Sequence, residues 1–149
     1  MFRELRRKKN AVTDETAKEL LKESRRGVLA VIGDEGYPYA VPVNYLYDEE
    51  NNKIYFHGAR SGHKYDSIKA NDKVCFTVYG NEIVKDEEWA PYLQSVVVFG
   101  RCHLLNHDDE SMEILKKQIL PKRGYHYRCY SIFRKSCADV RNRYRAFQW

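Results

Sequence analysis

The chain has 149 residues, of which 43% are hydrophobic and 32% charged, and its formal net charge is +5. This length fits one domain with one core, and the composition is that of a globular protein, not a disordered or fibrous one. The charge is uneven. Residues 1–121 hold 18 basic against 20 acidic side chains, a net of −2, and residues 122–149 hold 8 against 1, a net of +7. An acidic body argues against a general nucleic-acid binder, so nucleic acid is not an expected partner.

Other classes are excluded by what the sequence lacks. No apolar run approaches the roughly 20 residues of a membrane span, and no signal-peptide core follows the basic start, so we expect a cytoplasmic protein without a membrane partner. The four cysteines form no C-x-x-C pair, which argues against a zinc ribbon or a thioredoxin motif. Cys102, His103 and His107 straddle a strand end and a turn, and no metal site is expected there.

Hydrophobic periodicity and turn residues predict an antiparallel barrel or strongly curved sheet with three flanking helices. Pro38 and Pro42 cannot donate ladder hydrogen bonds, which predicts an edge or irregular strand with exposed backbone around them. Residues 80–91 are predicted to be polar and irregular. The predicted elements are a helix from the N-cap Thr13 to Arg26, strands at 28–32, 37–47 and 53–56, a helix from the N-cap Ser61 to Asn71, strands at 74–78 and 92–105, and a helix that begins at Asp108 and ends before Pro121.

The segment from His57 to Lys64 joins a strand to a helix through Gly58 and Gly62. With Ser61 as N-cap, the free N–H groups of the first helical turn and the helix dipole favour an anion, and three basic side chains add positive charge. The alternative is a connecting loop that needs glycines for its bend and carries charge because it is exposed. The residues alone therefore permit a phosphate site without requiring one.

Five stretches are more specific in combination: Gly36-Tyr37-Pro38-Tyr39, Val41-Pro42-Val43-Asn44, Ile54-Tyr55-Phe56-His57-Gly58-Ala59, Gly62-His63-Lys64 and Ser95-Val96-Val97-Val98-Phe99-Gly100. Together they resemble the pyridoxamine 5′-phosphate oxidase-like flavin-binding split barrels, and the branch of the 5-nitroimidazole resistance (Nim) proteins in particular. The resemblance covers about residues 1–120. It implies a mainly β fold, a split β-barrel of about six antiparallel strands with short helices over residues 1–121, and a homodimer with two FMN molecules in clefts between the subunits.

The resemblance also implies the cofactor-binding residues. Val41, Pro42, Val43 and Asn44 would line the flavin ring mostly through backbone groups, which agrees with the exposed backbone expected beside two prolines. Ser61 and Lys64 would hold the phosphate, with Arg60 and His63 beside them. The same segment contributes Phe56, His57, Gly58, Ala59 and Gly62, and Trp89, Tyr92 and Ser95 would approach the flavin from the partner subunit.

His57 is the candidate catalytic residue. The resemblance places a histidine at a comparable position near flavin and substrate, where it could position a ligand or relay a proton. Without the resemblance, His57 reads as a histidine on the alternate face of a strand, hydrogen-bonded within the barrel.

The tail at 122–149 departs from the family, whose members end with an alternating apolar strand. Here it is rich in Arg and Tyr, and Val140 is its only β-branched aliphatic residue after Ile132. One hypothesis is a shift of the encoding frame near Pro121 to Tyr125, which predicts no closing strand beyond it. The alternative is a basic tail that binds nucleic acid or an acidic partner.

These observations predict an FMN-dependent oxidoreductase acting on a small organic molecule, with nitro-aromatic reduction as the specific activity that the Nim resemblance suggests. Two alternatives remain open. One is a dimer that carries flavin or haem without turnover, and the other is a protein without cofactor whose basic tail contacts nucleic acid.

Overall fold

The structure is a computed structural model that describes residues 4–83, 92–106, 109–119, 134–139 and 144–148. Within these ranges, no helix is long and apolar enough to cross a membrane. The elements are α1 (Asp14–Glu23), β1 (Arg26–Ile32), β2 (Pro38–Asp48), β3 (Lys53–Gly58), α2 (His63–Ala70), β4 (Lys73–Ile83), β5 (Tyr92–Leu104), α3 (Asp109–Ile119), β6 (Arg134–Asp139) and β7 (Tyr144–Gln148).

Six of the strands form a closed antiparallel ring. The order β4-β1-β2-β3-β6-β5 returns to its start because β5 also pairs with β4, and β7 adds to β5 outside the ring. Strand β5 can serve three neighbours because it is long. One edge pairs with β4, while the other pairs with β7 over residues 94–98 and with β6 over residues 101–104. The expectation of a split barrel of about six antiparallel strands is thereby confirmed.

The ring is filled by one hydrophobic core, with α1 packed against it. Thr13 caps α1 as predicted, since its side chain accepts a hydrogen bond from the Thr16 N–H. Leu20 and Leu21 are 3% and 1% exposed, and burial of each contributes about 2 kcal/mol. The helix ends at Glu23 and not at Arg26, because Arg26 already pairs with Asn44 as the first residue of β1.

Strand β2 has the exposed edge that was expected around the prolines, and it is not irregular there. It is continuous over Pro38–Asp48 and pairs with β1 from Arg26↔Asn44 to Ile32↔Pro38. Strand β3 pairs only with its second half, from Tyr45 onward. In the described part of the chain, no strand joins residues 38–44 on the side away from β1. Prolines are tolerated in this central strand because residues 38–44 have one edge without a neighbouring strand. A residue without an N–H group breaks no ladder hydrogen bond at such an edge.

Two further predictions concern the later strands. Residues 80–83 belong to β4 and not to an irregular loop, since a register shift between Gly80 and Ile83 lets the strand continue beyond the predicted end. Residues 84–91, the rest of that predicted loop, lie outside the described residues. Beyond residue 121, β6 pairs with both β3 and β5 and occupies the position of a closing strand. A strand at this position runs against the shifted-frame hypothesis, which predicts none.

Candidate functional site

The junction between β3 and α2 is an uncapped helix start. The N-cap of α2 is Gly62 (φ 96°, ψ 170°), and no side chain caps the helix. The prediction of Ser61 as N-cap was wrong, because the positive φ of Gly62 turns the chain one residue later than Ser61. The first backbone hydrogen bond runs from the Asp66 N–H to the Gly62 carbonyl. The N–H groups of the first turn therefore face outward without a side-chain acceptor, an arrangement that suits an anion.

Lys64 places a half-buried positive charge beside this helix start. Its Nζ lies 5.6 Å from the centroid of the Phe56 ring and 2.9 Å from the position that a Cβ on Gly58 would occupy. Within the described ranges, no carboxylate pairs with it. Burial lowers the pKa of Lys64 from its ordinary value of 10.5, with a smaller opposing effect from Cys102. A desolvated ammonium without a counter-ion favours the binding of an external anion.

Ser67 is a second polar group without a partner at the same place. It is 5% exposed, and its Oγ is buried without a hydrogen-bond partner. In a helix, residues three and four apart share a face and side chains lean toward the N-terminus, so Ser67 points back toward the turn that holds His63 and Lys64. Sequence reasoning missed this residue because a serine one turn into a helix carries no signal of its own.

His63 is turned away from the helix start, toward the turn between β1 and β2. Its Nε2 accepts a hydrogen bond from the Asp34 N–H at 3.3 Å, and the Oδ2 of Asp34 lies 3.6 Å away. Its ring stacks on Tyr39, with centroids 4.1 Å apart and planes 25° apart. The remaining loop residues of the expected site, Ala59, Arg60, Ser61 and Gly62, are exposed.

The residues expected to line a flavin ring divide between the two faces of β2. Val43 is buried and Val41 partly buried on the core side, whereas Pro42 and Asn44 are exposed on the outer side. On the outer side, the pairs Val28↔Pro42 and Ala30↔Ala40 carry short side chains, whereas Asn44 pairs with the longer Arg26. The middle of the outer side of the β1–β2 hairpin is thus a flat surface next to the open edge of residues 38–44.

On β3, Phe56 and His57 point to opposite sides. Phe56 is 1% exposed in the core and lies between Tyr45 of β2 and Ser136 of β6, so its side chain supports the site from within. His57 is half-buried on the outer side, the side that also carries Asn44 and Pro42. The structure therefore brings His57 to the flat surface and separates it from the Phe56 ring that lies under Lys64.

Tyr92 and Ser95 lie on β5, away from this surface in the same chain. Ser95 pairs with Tyr79 of β4, and β4 in turn pairs with β1. With strands about 4.8 Å apart, three strand steps separate Ser95 from β2 by roughly 14 Å. Trp89 lies outside the described residues.

Cys102 and His103, two of the three residues considered as a metal site, lie on opposite sides of β5. Cys102 is 2% exposed in the core, whereas His103, the next residue of β5, is exposed on the opposite side. His107 lies outside the described residues. Across the described ranges, no three His, Cys, Asp or Glu side chains gather in a way that could hold a metal ion. The expectation that no metal binds stays a prediction.

Comparisons with known proteins agree with this architecture. The family model described as "Pyridoxamine 5′-phosphate oxidase" matches residues 13–136. A solved structure of a provisionally named 5-nitroimidazole antibiotic resistance protein from Bacteroides thetaiotaomicron superposes with a TM-score of 0.76 at 17% identity, covering 91% of this chain and 85% of that one. No curated protein sequence matches the chain.

Two further solved structures share the fold. A FAD-binding protein from Mesorhizobium loti gives a TM-score of 0.69 at 19% identity, with 93% of this chain and 96% of that chain covered. The FAD and heme binding protein from Mycobacterium smegmatis gives 0.71 at 15% identity, with 94% and 73% covered. At these identities, the likeness establishes the fold.

Proposed function

The chain belongs to the pyridoxamine 5′-phosphate oxidase family, and from that membership we propose that it binds FMN and acts as an FMN-dependent oxidoreductase on a small organic substrate. The observation that carries the proposal is Lys64, a half-buried ammonium without a carboxylate partner in the described ranges, at the uncapped start of α2. A dianionic phosphate would supply the counter-charge that Lys64 lacks and accept from the free N–H groups beside it.

The flat outer side of the β1–β2 hairpin supports the ring of the same cofactor. Pro42 and its neighbour Val28 offer a surface without long side chains. Pro42 pairs with Val28 on one side, and in the described ranges no strand lies beside it on the other side, where backbone groups of β2 face outward. Alternate backbone groups of residues 38–44 can therefore meet the polar edge of a planar ring.

Within this arrangement, the flavin would supply the electron or hydride transfer. The chain's own residues bind and orient: Lys64 and the start of α2 fix the phosphate end, and residues 41–44 fix the ring. His57 lies on the outer side beside residues 42–44, where its imidazole can hold a substrate against the ring or move a proton. Nitro-aromatic compounds are the substrate class that we propose to test first, and we propose that the reaction takes place in the cytoplasm.

We also propose that the working unit is a homodimer formed through the outer side of the sheet. That side carries exposed large hydrophobic residues at its rim, with Ile32 at 43% and Tyr79 at 65% exposed. A two-fold dimer would bring Tyr92 and Ser95 of one subunit near the ring-binding surface of the other, whereas within one chain three strand steps separate Ser95 from that surface.

The second candidate is a dimer that carries a flavin or haem without turnover. The fold shared with a FAD-binding protein and with a FAD and heme binding protein favours it over the cofactor-free alternative. A single assay distinguishes the FMN-dependent enzyme from the carrier. We expect the purified protein, saturated with FMN, to be bleached by a reductant and reoxidised by a nitro-aromatic compound faster than free FMN is.

His57→Ala in that assay separates a role in turnover from a role in binding. The expected result is unchanged FMN content with a slower reoxidation, by roughly 100-fold if the imidazole acts in proton transfer. Unchanged content with an unchanged rate removes His57 from the mechanism. Colour without turnover favours the carrier, and failure to take up either FMN or haem overturns both candidates. Sedimentation of the same samples tests the dimer.

A further inference from the structure

His63 has contacts that the proposed phosphate site does not explain. It is the first residue of α2, yet its imidazole leaves the helix start and reaches the turn between β1 and β2. Two independent contacts fix the ring there: the stack on Tyr39 sets its plane, and the hydrogen bond from the Asp34 N–H to Nε2 sets its rotation. An exposed histidine that served only as a positive charge would need neither.

Gly33 makes this approach possible. A Cβ on Gly33 would lie 2.8 Å from His63 Nε2, and 3.1 Å from both the Tyr37 carbonyl oxygen and the Tyr39 Cβ. A Cβ at the first distance would displace the tip of the imidazole, and the φ of −86° at Gly33 lies outside the left-handed region that favours glycine. The glycine therefore leaves room for the imidazole, as it does for the Tyr37 carbonyl and the Tyr39 Cβ.

The hydrogen bond also determines which form of His63 makes the contact. Nε2 can accept from the Asp34 N–H only when it carries no proton, so the contact belongs to the neutral ring with its proton on Nδ1. The Asp34 carboxylate, 3.6 Å away and 91% exposed, would pair only with the protonated ring and in water contributes little. The backbone donor is therefore the partner that defines the position.

We propose that His63 is a positioning residue that fastens the first turn of α2 to the β1–β2 turn and thereby holds Lys64 and the free N–H groups in place for a phosphate. The inference rests on the proposed binding of FMN and adds the contact that positions the phosphate-binding groups. His63 and Lys64 are consecutive in α2, so a change in the position of the first moves the backbone of the second. The turn at residues 33–34, which would touch no ligand, then controls affinity for the phosphate.

Two variants of His63 distinguish the contribution of the Nε2 hydrogen-bond acceptor from that of the stacked ring. His63→Phe keeps an aromatic ring on Tyr39 and removes the acceptor, whereas His63→Gln keeps an acceptor at similar reach and removes the ring. Affinities for FMN and for riboflavin, which lacks the phosphate, are measured for each. We expect His63→Phe to lower the FMN affinity about fivefold, the size of one hydrogen bond, and to leave riboflavin unchanged. His63→Gln should retain most of the difference between the two ligands.

Gly33→Ala tests the coupling from the other side. We expect it to reduce the ratio of FMN to riboflavin affinity in the wild-type background and to have no further effect on that ratio in His63→Ala, where no imidazole meets the new methyl group. Asp34→Asn keeps the backbone donor and should leave the ratio unchanged. An additive effect of Gly33→Ala, or a loss in Asp34→Asn as large as in His63→Phe, overturns the proposal.

Amide hydrogen exchange of the apoprotein tests the contact between His63 and the β1–β2 turn without a flavin. His63→Phe and Gly33→Ala should speed the exchange of the α2 amides from Asp66 onward and leave those of α1 unchanged. Unchanged exchange in α2 refutes the positioning role whatever the ligand affinities show. If α2 exchanges faster as expected but wild-type protein does not distinguish FMN from riboflavin, the positioning role stands and the proposed phosphate site fails.

Discussion

Lys64 has opposite effects on stability and on binding, because its buried charge destabilises the fold and favours an anionic ligand. Its ammonium is half-buried over Phe56, and burial lowers its pKa because the charged form loses water without gaining a carboxylate in the described ranges. Such a charge destabilises the fold by itself. A residue of this kind is retained where a ligand supplies the missing partner, which is the pattern of stability given up for function.

Replacement of Lys64 by Met tests this conflict directly, because methionine keeps the length of the side chain and removes the charge. We expect the free energy of unfolding of the apoprotein to rise by about 1 kcal/mol. FMN affinity should fall by between about tenfold and a hundredfold, the range for a hydrogen bond to a charged group, while riboflavin affinity stays unchanged. Urea unfolding and titration with the two flavins measure these effects, and a fall in both stability and riboflavin affinity would contradict the assignment.

The lowered pKa of Lys64 predicts opposite pH dependences for stability and binding. In the window between the lowered value and the ordinary value of 10.5, the unfolded chain binds more protons than the folded one. The apoprotein should therefore gain stability as pH rises through that window. FMN affinity should fall over the same window, because Lys64 loses its charge. Lys64→Arg, which stays charged, removes both trends and serves as control for other groups that titrate at alkaline pH.

At the scale of elements, the site depends on how α2 begins. Gly62 adopts φ 96° and ψ 170°, a region that is essentially closed to residues with a Cβ. Nothing lies within 4 Å of a Cβ placed there, so a substitution acts through the backbone alone. The helix start and its free N–H groups exist because one glycine allows the chain to turn between β3 and α2.

Gly62→Ala should therefore cost about 1 to 3 kcal/mol of stability and lower FMN affinity relative to riboflavin. Asn52→Ala is the matched control. Asn52 also has a positive φ, at 51°, but it lies in the turn between β2 and β3, so its replacement should lower stability without changing the ratio of the two affinities. Thermal unfolding and flavin titration of the two variants decide the matter. An equal change of the ratio in both variants would show that general destabilisation is the cause.

At the scale of the whole molecule, the tail completes the sheet. Strand β6 pairs with β3 over residues 53–58 and with β5 over residues 101–104, so two strand edges would be exposed without it. Exposed edges promote aggregation. The +7 charge of residues 122–149 therefore belongs to a segment that contributes two strands to the sheet.

Two truncations test whether this closure is required. A chain ending at residue 121 loses β6 and β7, and we expect it to aggregate or to unfold below room temperature. A chain ending at residue 140 keeps β6 and loses only β7, which lies outside the ring, so it should remain folded with a lower melting temperature. Size-exclusion chromatography and circular dichroism distinguish the two. A well-folded chain of 121 residues would support the hypothesis that the tail is not the ancestral strand.

The sequence by itself determined the elements, because hydrophobic periodicity, caps and turn residues are local. The N-cap Thr13, the strand at 28–32 and the helix after the glycine-rich loop were all visible in it, and the motifs around Val41 to Asn44 and Gly62 to Lys64 indicated the family. The helix start at Ser61 was wrong by one residue, since the backbone conformation of Gly62 depends on where β3 ends. The strand at residues 80–83 was missed, since its pairing partners, Tyr92 and Gln94, lie on a separate strand.

The tertiary structure alone decided which side chains meet. The burial of Lys64 over Phe56, the orphaned hydroxyl of Ser67 and the contact of His63 with Gly33 and Asp34 join residues from separate elements, and no local pattern encodes such distances. It also placed Pro38 and Pro42 in a central strand, since an open edge depends on where the neighbouring strand stops. The sequence therefore carried the family and the elements, whereas the partners of the candidate anion site arose from strand pairing and from the packing of α2 against the β1–β2 turn.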